Sequence, residues 1–461
     1  MFQTLRNAWK IEDLRKKLLF TLLILVIVRL GCAIPVPFLD PSRLQEMLDS
    51  TQGNLLGYLN LLTGGAFAEA TLFALGVSPY ITASIVIQLL TVAIPSLERM
   101  AKEGPEGQKK IKKITRYSTI GLAILQAYAY YTLLRSSQFN AVKYTTGAAA
   151  WISGIAIVLA FSAGAMLVVW LGERIDEKGI GNGISLILFA GIVSRFPRMI
   201  SDCVSGVTVW SAVKNGTMSE ETLTAAGYSA TQAQAQLSLA LAPWMIPVIV
   251  IGMLALIAFI VFINDAERRI PVQYAKRQVG RKMYGGQSST LPMKVNMSGV
   301  LPVIFAQSIA SLPITIWTFI GMPKEGTVSY SIYNAIDTKS VIYMVVYFIM
   351  IIGFSYFYSS IQFNPVEIAN NLKKQGGFIP GFRPGQPTVQ FIQKVLNRIT
   401  MFGAIYLGIV AICPLIVGKI IGNSSLAIGG TSVIIVVGVA LETVKALENQ
   451  MLMRQYKGFL E

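Results

Sequence analysis

The sequence predicts an all-α polytopic membrane protein, and three observations predict it. Of the 461 residues, 53% are hydrophobic and only 13% are charged, whereas about a quarter of an ordinary soluble domain is charged. Apolar runs near the ~20 residues that a helix needs to cross a bilayer recur along the chain, separated by polar breaks. Lys and Arg gather in every second one of those breaks, the asymmetry that marks cytoplasmic connections.

The runs fall at roughly 18–37, 73–95, 117–134, 151–171, 183–200, 243–263, 299–320, 341–361, 399–418 and 426–446, about ten spans in all. The first run continues for about 20 residues without a small-x-small cleavage site, so it reads as a retained span. Before it stand Arg6, Lys10, Arg15, Lys16 and Lys17, while the following connection, 38–72, carries Arg43 alone. Segment 98–116 has Arg99, Lys102, Lys109, Lys110, Lys112, Lys113 and Arg116, against Arg135 and Lys143 in the next break. Segments 264–298 and 362–398 are again basic, and 321–340 and 419–425 nearly bare. Ten spans with both termini cytoplasmic satisfy this pattern without conflict. They divide into an N-terminal half, 1–200, and a C-terminal half, 243–461, joined by an external connection, 201–242, that carries no motif. Five spans per half would invert one half relative to the other.

Composition also excludes chemistries. There is no His, and Cys32, Cys203 and Cys413 lack metal-ligand or redox spacing; no cofactor is implied. Gly418-Lys419 is followed by Ile420, so it is no phosphate loop. "GIGNG", 179–183, follows no strand and reads as a backbone break before the fifth span. No Asp or Glu sits in mid-span, where an ion-coupled transporter needs a partner for its ion. Arg29 reads as a cation snorkelling to the outer interface. The polar residues inside the spans, Ser84, Gln88, Gln126, Gln307 and Ser308, fit either interhelical contacts or a gate.

Several further stretches raise questions. Ile81 and Ile85 stand one helical turn apart on a mixed face, as do Ile184 and Leu188; bundle core and a hydrophobic constriction both fit that spacing. "YLNLLTGGAFAEATLFALG", 58–76, is too apolar for an exposed loop, yet Asn60, Gly64, Gly65 and Glu69 interrupt it, so it reads as an external helix at the interface. "ERRIPVQYAKRQVGRK", 267–282, alternates basic and apolar residues around Pro271 as an extended hairpin would. "GFIPGFRPGQP", 377–387, is a turn cluster presenting Arg383.

"FALGVSPYITASIVIQLL", "WLGERIDEKGIGNGISLILFAGIV", "RRIPVQYAKRQVGRKMYGGQSSTLPMKVNMSGVLPVIFAQS", "FNPVEIANNLKKQGGFIPGFRPG" and "IGGTSVIIVVGVALE" lie in order between residues 73 and 442. Together they resemble the SecY family of bacterial protein translocation channels. The resemblance implies two inverted five-helix halves closing like a clamshell around a central hourglass pore in the bacterial cytoplasmic membrane, with no enzymatic activity. It implies a pore ring of Ile81, Ile85, Ile184, Leu188, Ile304 and Ile435, with Leu188 where the family often has Ile. It implies a lateral gate between spans two and three on one side and seven and eight on the other, with Gln88, Gln126 and Gln307 as its polar residues. The segment at about 57–67 becomes a plug, in which Tyr58, Leu59, Leu61 and Leu62 seal the pore and Gly64 and Gly65 form a hinge. Arg268, Arg269, Lys276, Arg277 and Arg383 become docking contacts for the SecA ATPase motor and the translating ribosome. SecE and SecG subunits, signal sequences, nascent polypeptides and membrane lipids complete the implied partners. The rival reading is a secondary transporter of a small solute, with a site at the membrane midplane.

Overall fold

The structure is a computed structural model that describes residues 2–40, 63–135, 141–144, 146–215, 242–274, 277–279, 282–284, 288–297, 299–310, 313, 327–336, 340–421 and 430–457. The chain opens on α1 (Phe2–Lys10) and α2 (Glu12–Gly31). Leu14, Thr21, Ile24, Val28 and Gly31 are buried along one stripe of α2. Leu19, Leu22, Leu23, Val26, Ile27 and Leu30 stay exposed, the one-sided apolar exposure of a helix that faces lipid.

Helix α3 (Ser78–Ala93) begins at Pro79, where a missing N–H is harmless, and ends at extended Ile94, which precedes Pro95. The chain bends there by 106° into α4 (Pro95–Lys102). Helix α5 (Pro105–Arg135) packs along α3, and α6 (Gly147–Lys178) along α5. Both outrun the apolar segments that predict them, because Lys, Glu and Arg are good helix formers and nothing in the sequence stops the helix at the membrane edge. An Arg116–Glu173 ion pair ties these extensions, and that hydrogen bond raises the guanidinium's pKa above its ordinary value. The fifth predicted run is broken. Helix α7 (Gly183–Val193) stops at Ser194, and α8 (Phe196–Lys214) restarts at Pro197 and carries the chain into the expected external connection; residues 216–241 of that connection lie outside the described residues.

The second half comprises α9 (Met245–Asp265), α10 (Leu301–Ala310), α11 (Val328–Ile336), α12 (Val341–Gln362), α13 (Pro365–Lys374), α14 (Gln386–Ile421) and α15 (Gly430–Lys457). Between α9 and α10 come β1 (Glu267–Tyr274), β2 (Arg277–Val279), β3 (Lys282–Tyr284) and β4 (Ser288–Lys294), and β5 (Gly377–Phe378) follows α13. The predicted hairpin is therefore present, as antiparallel β1–β4 with β2–β3 paired at its tip, and β5 adds to β1 to give the order β4-β1-β5. Because β5 pairs only with Gln273 and Tyr274, the Pro271 stretch keeps an open edge, where proline's missing donor is tolerated.

Each of the ten predicted runs contains a helix. Among the described residues, α6, α9, α12 with α13, and α14 are long and apolar enough to cross a bilayer, and the bent α3–α4 pair makes a fifth where its two helices count as one span. The shorter apolar α7 and α10 are consistent with the total of ten. The halves join along α7 and α15 and again where α1 rests on α15. At the second joint Ala8, Leu14, Ile180 and Leu447 bury one another, and the Thr4 hydroxyl donates to Glu448 at 3.1 Å. By contrast α3 with α5, and α10 with α12, pack within their own halves.

Candidate functional site

An apolar waist draws on both halves. Leu188 of α7, Ile304 of α10 and Ile435 of α15 are buried in one cluster with Ile24, Val28, Phe73 and Val77, and Ile81 of α3 and Ile184 of α7 pack against it half-buried. Five of the six residues singled out from the sequence thus meet, two helices contributing from each half. Ile85 is half-buried one turn beyond Ile81, outside that cluster. Phe73, Val77, Leu186, Ile187 and Val439 share the waist. Sequence reasoning passed over them because an apolar residue in an apolar helix carries no local mark of its neighbours.

The break at 179–183 fixes where the fifth span presents its side chains. Gly181 has φ +78°, a left-handed conformation open to glycine. Asn182 caps α7 by accepting from the Ser185 N–H at 3.1 Å, and the Gly183 N–H donates to Asp176 at 2.7 Å. A Cβ at Gly183 would stand 2.0 Å from the Gly172 carbonyl oxygen, so α7 approaches α6 closely only through glycine. Ile184 and Leu188 follow in the first two turns of α7. On α10 the Ser308 hydroxyl donates back to the Ile304 carbonyl at 2.9 Å, keeping that hydroxyl satisfied inside the bundle.

Of the three amides, Gln88 on α3 and Gln126 on α5 are half-buried, while Gln307 on α10 donates to the Tyr343 hydroxyl of α12 at 3.0 Å. They line two helix pairs, α3–α5 and α10–α12, that belong to opposite halves.

The segment ahead of α3 has two parts. Tyr58, Leu59, Leu61 and Leu62 lie outside the described residues. Gly64 and Gly65 have φ +67° and +99°, and beyond them the chain is fastened. The Tyr130 hydroxyl donates to the Phe67 carbonyl at 2.6 Å, and the two rings stack 4.3 Å apart. The Thr71 hydroxyl donates to Ala66 at 3.1 Å, and the backbone around Pro35 pairs with Thr71. A Cβ at Gly164 would come within 1.9 Å of the Leu72 carbonyl oxygen. An interfacial helix is therefore the wrong description of 66–75. Most of that stretch is buried, from Ala66 to Leu75, because its apolar residues fill a cluster with Tyr130 and Phe161.

Arg29 also differs from expectation. It does not reach outward but turns into the bundle, where its Nη2 lies 3.4 Å from the Gly191 and 3.5 Å from the Ala190 carbonyl oxygen. The last turn of α7 is the negative end of a helix dipole, which attracts a cation, and its Ala190 and Gly191 carbonyls also accept from the Ser194 N–H and hydroxyl.

At the basic end of the bundle, β1 alternates as its sequence predicts from Arg269 to Gln273, with Ile270 and Val272 buried between exposed neighbours. Arg268, at the start of the strand, is exposed as well. The buried face packs with Met293, Ala369, Leu372, Ile379, Ile392 and Leu396, uniting the sheet, α13 and the start of α14 in one subdomain. Arg383 projects from the same unit on a turn with positive φ at Gly381 and Gly385, its carbonyl accepting from the Thr388 hydroxyl at 2.8 Å. The backbone of Arg277 lies in β2, and Lys276 lies outside the described residues. Two polar links root the subdomain in the bundle: Lys445 of α15 to Asp265 at 2.7 Å, and Asn296 to Asn264 at 3.0 Å.

Two helical halves meeting at an apolar waist, with a basic sheet at one end, define a polytopic membrane protein. Comparison with known proteins narrows this. A model of the SecY family matches residues 71–444, and the chain belongs to that family. It is 42% identical to the protein translocase subunit SecY of Streptomyces coelicolor over 467 residues, and 40% identical to that of Mycobacterium tuberculosis over 483, all of both chains being covered each time. Among solved structures, it resembles one concerning the plug domain of SecY with a TM-score of 0.61 at 18% identity, covering 94% of this chain and 92% of that one. It resembles Sec61 in the canine ribosome-channel complex with a TM-score of 0.56 at 17% identity, covering 94% and 92%. At such identities the likeness establishes the fold.

Proposed function

We propose that this chain is a protein-translocation channel that moves polypeptides across, and releases membrane proteins into, the bacterial cytoplasmic membrane. The observation that carries the reading is the waist, because Ile81, Ile184, Leu188, Ile304 and Ile435 converge from both halves on one apolar cluster. An apolar constriction excludes ions by dewetting, yet it can part around a passing chain without breaking directional bonds. Family membership supports the reading, since its relatives are translocase subunits.

The parts follow from that role. Ile81, Ile85, Ile184, Leu188, Ile304 and Ile435 form the pore ring. The lateral gate opens between the α3–α5 and α10–α12 pairs, carrying Gln88, Gln126 and Gln307; the packing of each pair within its own half supports this placement. Residues 57–67 are the plug, pivoting at Gly64 and Gly65. The basic end faces the cytoplasm with both termini, as the Lys and Arg distribution requires. There Arg268, Arg269, Lys276, Arg277 and Arg383 receive an ATP-driven motor of the SecA type and the translating ribosome, the latter by salt-sensitive attraction to phosphate. Small subunits of the SecE and SecG type complete the complex. The chain itself catalyses no reaction; energy comes from the partner.

The test is crosslinking. With cysteine at position 81 or 304 and a secretory chain stalled in the membrane, that chain crosslinks to both positions. No crosslink at either would remove the pore assignment, and ion-dependent uptake of a small solute, with protein export unaffected, would replace it by a secondary transporter.

A further inference from the structure

Span one, the base of the plug and the outer end of span five meet at a single side chain. Arg29 lies half-buried on the last turn of α2, and its Nη2 faces the Ala190 and Gly191 carbonyls at 3.5 and 3.4 Å. Those contacts are long for hydrogen bonds, but they place a full positive charge at the carbonyl end of α7, where the helix dipole favours it. Gly64 closes the third side. A Cβ built there would stand 2.3 Å from Nη2, 2.7 Å from Nη1 and 2.6 Å from the Gly191 oxygen, so the backbone at Gly64 lies directly on the guanidinium and leaves no space for a side chain. With φ +67° as well, Gly64 is held to glycine by conformation and by contact.

The position of this contact gives it a consequence. Downstream of Gly65 the chain is nailed to α5 and α6 through Tyr130, Thr71 and Gly164 and cannot travel. Gly64, which Arg29 touches, stands just ahead of that anchored stretch. The other partner of Arg29, α7, carries Ile184 and Leu188 into the waist. One cation therefore contacts both the hinge of the stopper and the helix that bears two ring residues.

We propose that Arg29 is a positioning residue that latches the resting channel, holding the plug hinge at Gly64 against the outer carbonyls of α7, so that displacement of the plug requires this contact to break. This rests on reading 57–67 as a plug. The function adds a named determinant of closure outside the ring, the gate and the plug itself.

The experiment measures resting ion conductance of the complete channel complex in planar bilayers for the wild type, Arg29→Gln, Arg29→Lys, deletion of 57–67, and the deletion combined with Arg29→Gln. Removing a partly buried cation from a helix terminus is expected to raise the open fraction of Arg29→Gln by roughly three- to tenfold. Arg29→Lys keeps the charge but not the broad planar contact, and falls between wild type and Arg29→Gln. The combined variant leaks no more than the deletion alone, because with the plug gone the latch has nothing to hold. A leaking deletion beside a tight Arg29→Gln overturns the latch while the plug stands. A tight deletion overturns the plug, and the latch with it. Additive leaks in the combined variant overturn the latch by placing Arg29's effect elsewhere. If Arg29→Gln fails to accumulate, Arg29→Lys decides: a leak above wild type sustains the latch, and wild-type tightness overturns it.

Discussion

The waist and the basic subdomain are both assembled from distant stretches of chain, yet they differ in what their residues disclose. In the waist every member is an ordinary aliphatic or aromatic side chain, and Ile304 or Ile435 would sit unremarked in any bundle core. In the subdomain, strand β1 announces itself by alternation from Arg269 to Gln273, with Arg269, Pro271 and Gln273 outside and Ile270 and Val272 inside. In the proposed channel the waist works by what it lacks, which is any group that water or an ion could bind, and the subdomain works by what it presents. A site defined by absence is tested by adding a polar group, and one defined by presence is tested by removing a charge.

The largest effect is therefore expected from Ile435→Asp. Ile435 is 2% exposed, and a carboxylate there meets desolvation worth about three pKa units, or roughly 4 kcal/mol. The expected outcome is a channel that accumulates poorly or, where it accumulates, hydrates its waist and conducts ions at rest. Ile435→Leu, which conserves volume, should stay tight and lose under about 1.5 kcal/mol. Equal conductance in the two variants would separate the waist from the seal.

Arg383→Glu comes next. The side chain is exposed, and its structural bond uses the backbone carbonyl, which the substitution leaves in place. Folding is thus expected to be unchanged, while motor-driven export into inverted membrane vesicles falls by on the order of tenfold or more, the cost of turning attraction into repulsion at a docking contact. Insertion of membrane proteins by ribosomes should fall less. Unimpaired motor-driven export would reduce the subdomain's charges to topology markers.

These expectations also measure how much could be read from the sequence. Helix positions were legible because apolar runs of spanning length have few alternatives in a bilayer, and each run proved to contain a helix. Helix ends were less so: α5 and α14 continue past the apolar stretch, and the fifth run breaks at Ser194. The hairpin was legible from period two, the junction at "GIGNG" from its glycines. The partners in the waist were not, because periodicity reports which face of a helix is apolar and not which helix it meets; only resemblance to a family brought Ile81, Ile184 and Ile304 together before the structure did. Arg29 was misread for a related reason. A lone cation near a span end usually snorkels, and its actual partners are backbone carbonyls of α7, which leave no trace in side-chain sequence.

A smaller effect divides the fastened part of the segment before α3 from its hinge. Tyr130→Phe keeps the ring that stacks on Phe67 and removes only the hydroxyl donated to the Phe67 carbonyl. That carbonyl still accepts from the Ala70 N–H at 3.2 Å, so the loss should lie near 1 kcal/mol, the low end for a buried hydrogen bond. Thermal unfolding in detergent should register it as a modest drop. Resting conductance should change little, because the anchor retains its packing; a leak as large as that of a plug deletion would mean that 66–75 moves together with the residues before Gly64.

The smallest expected effect concerns the joint between the two sites. Lys445 and Asp265 pair at 2.7 Å with side chains 40% and 49% exposed, linking the root of the sheet to the helix that carries Ile435. An exposed pair of this kind contributes about 0.5 kcal/mol once solvent screening is allowed for. Asp265→Asn should lower stability by no more than that, and the difference should vanish near 1 M salt, where the screening length falls to about 3 Å. The same comparison asks whether docking and gating are mechanically joined. If force on the basic subdomain reaches the waist through α15, Asp265→Asn should lower motor-driven export at low salt more than its stability loss predicts, and high salt should bring the wild type down to the variant. Export that follows stability alone would leave the two regions coupled only by the backbone of α9.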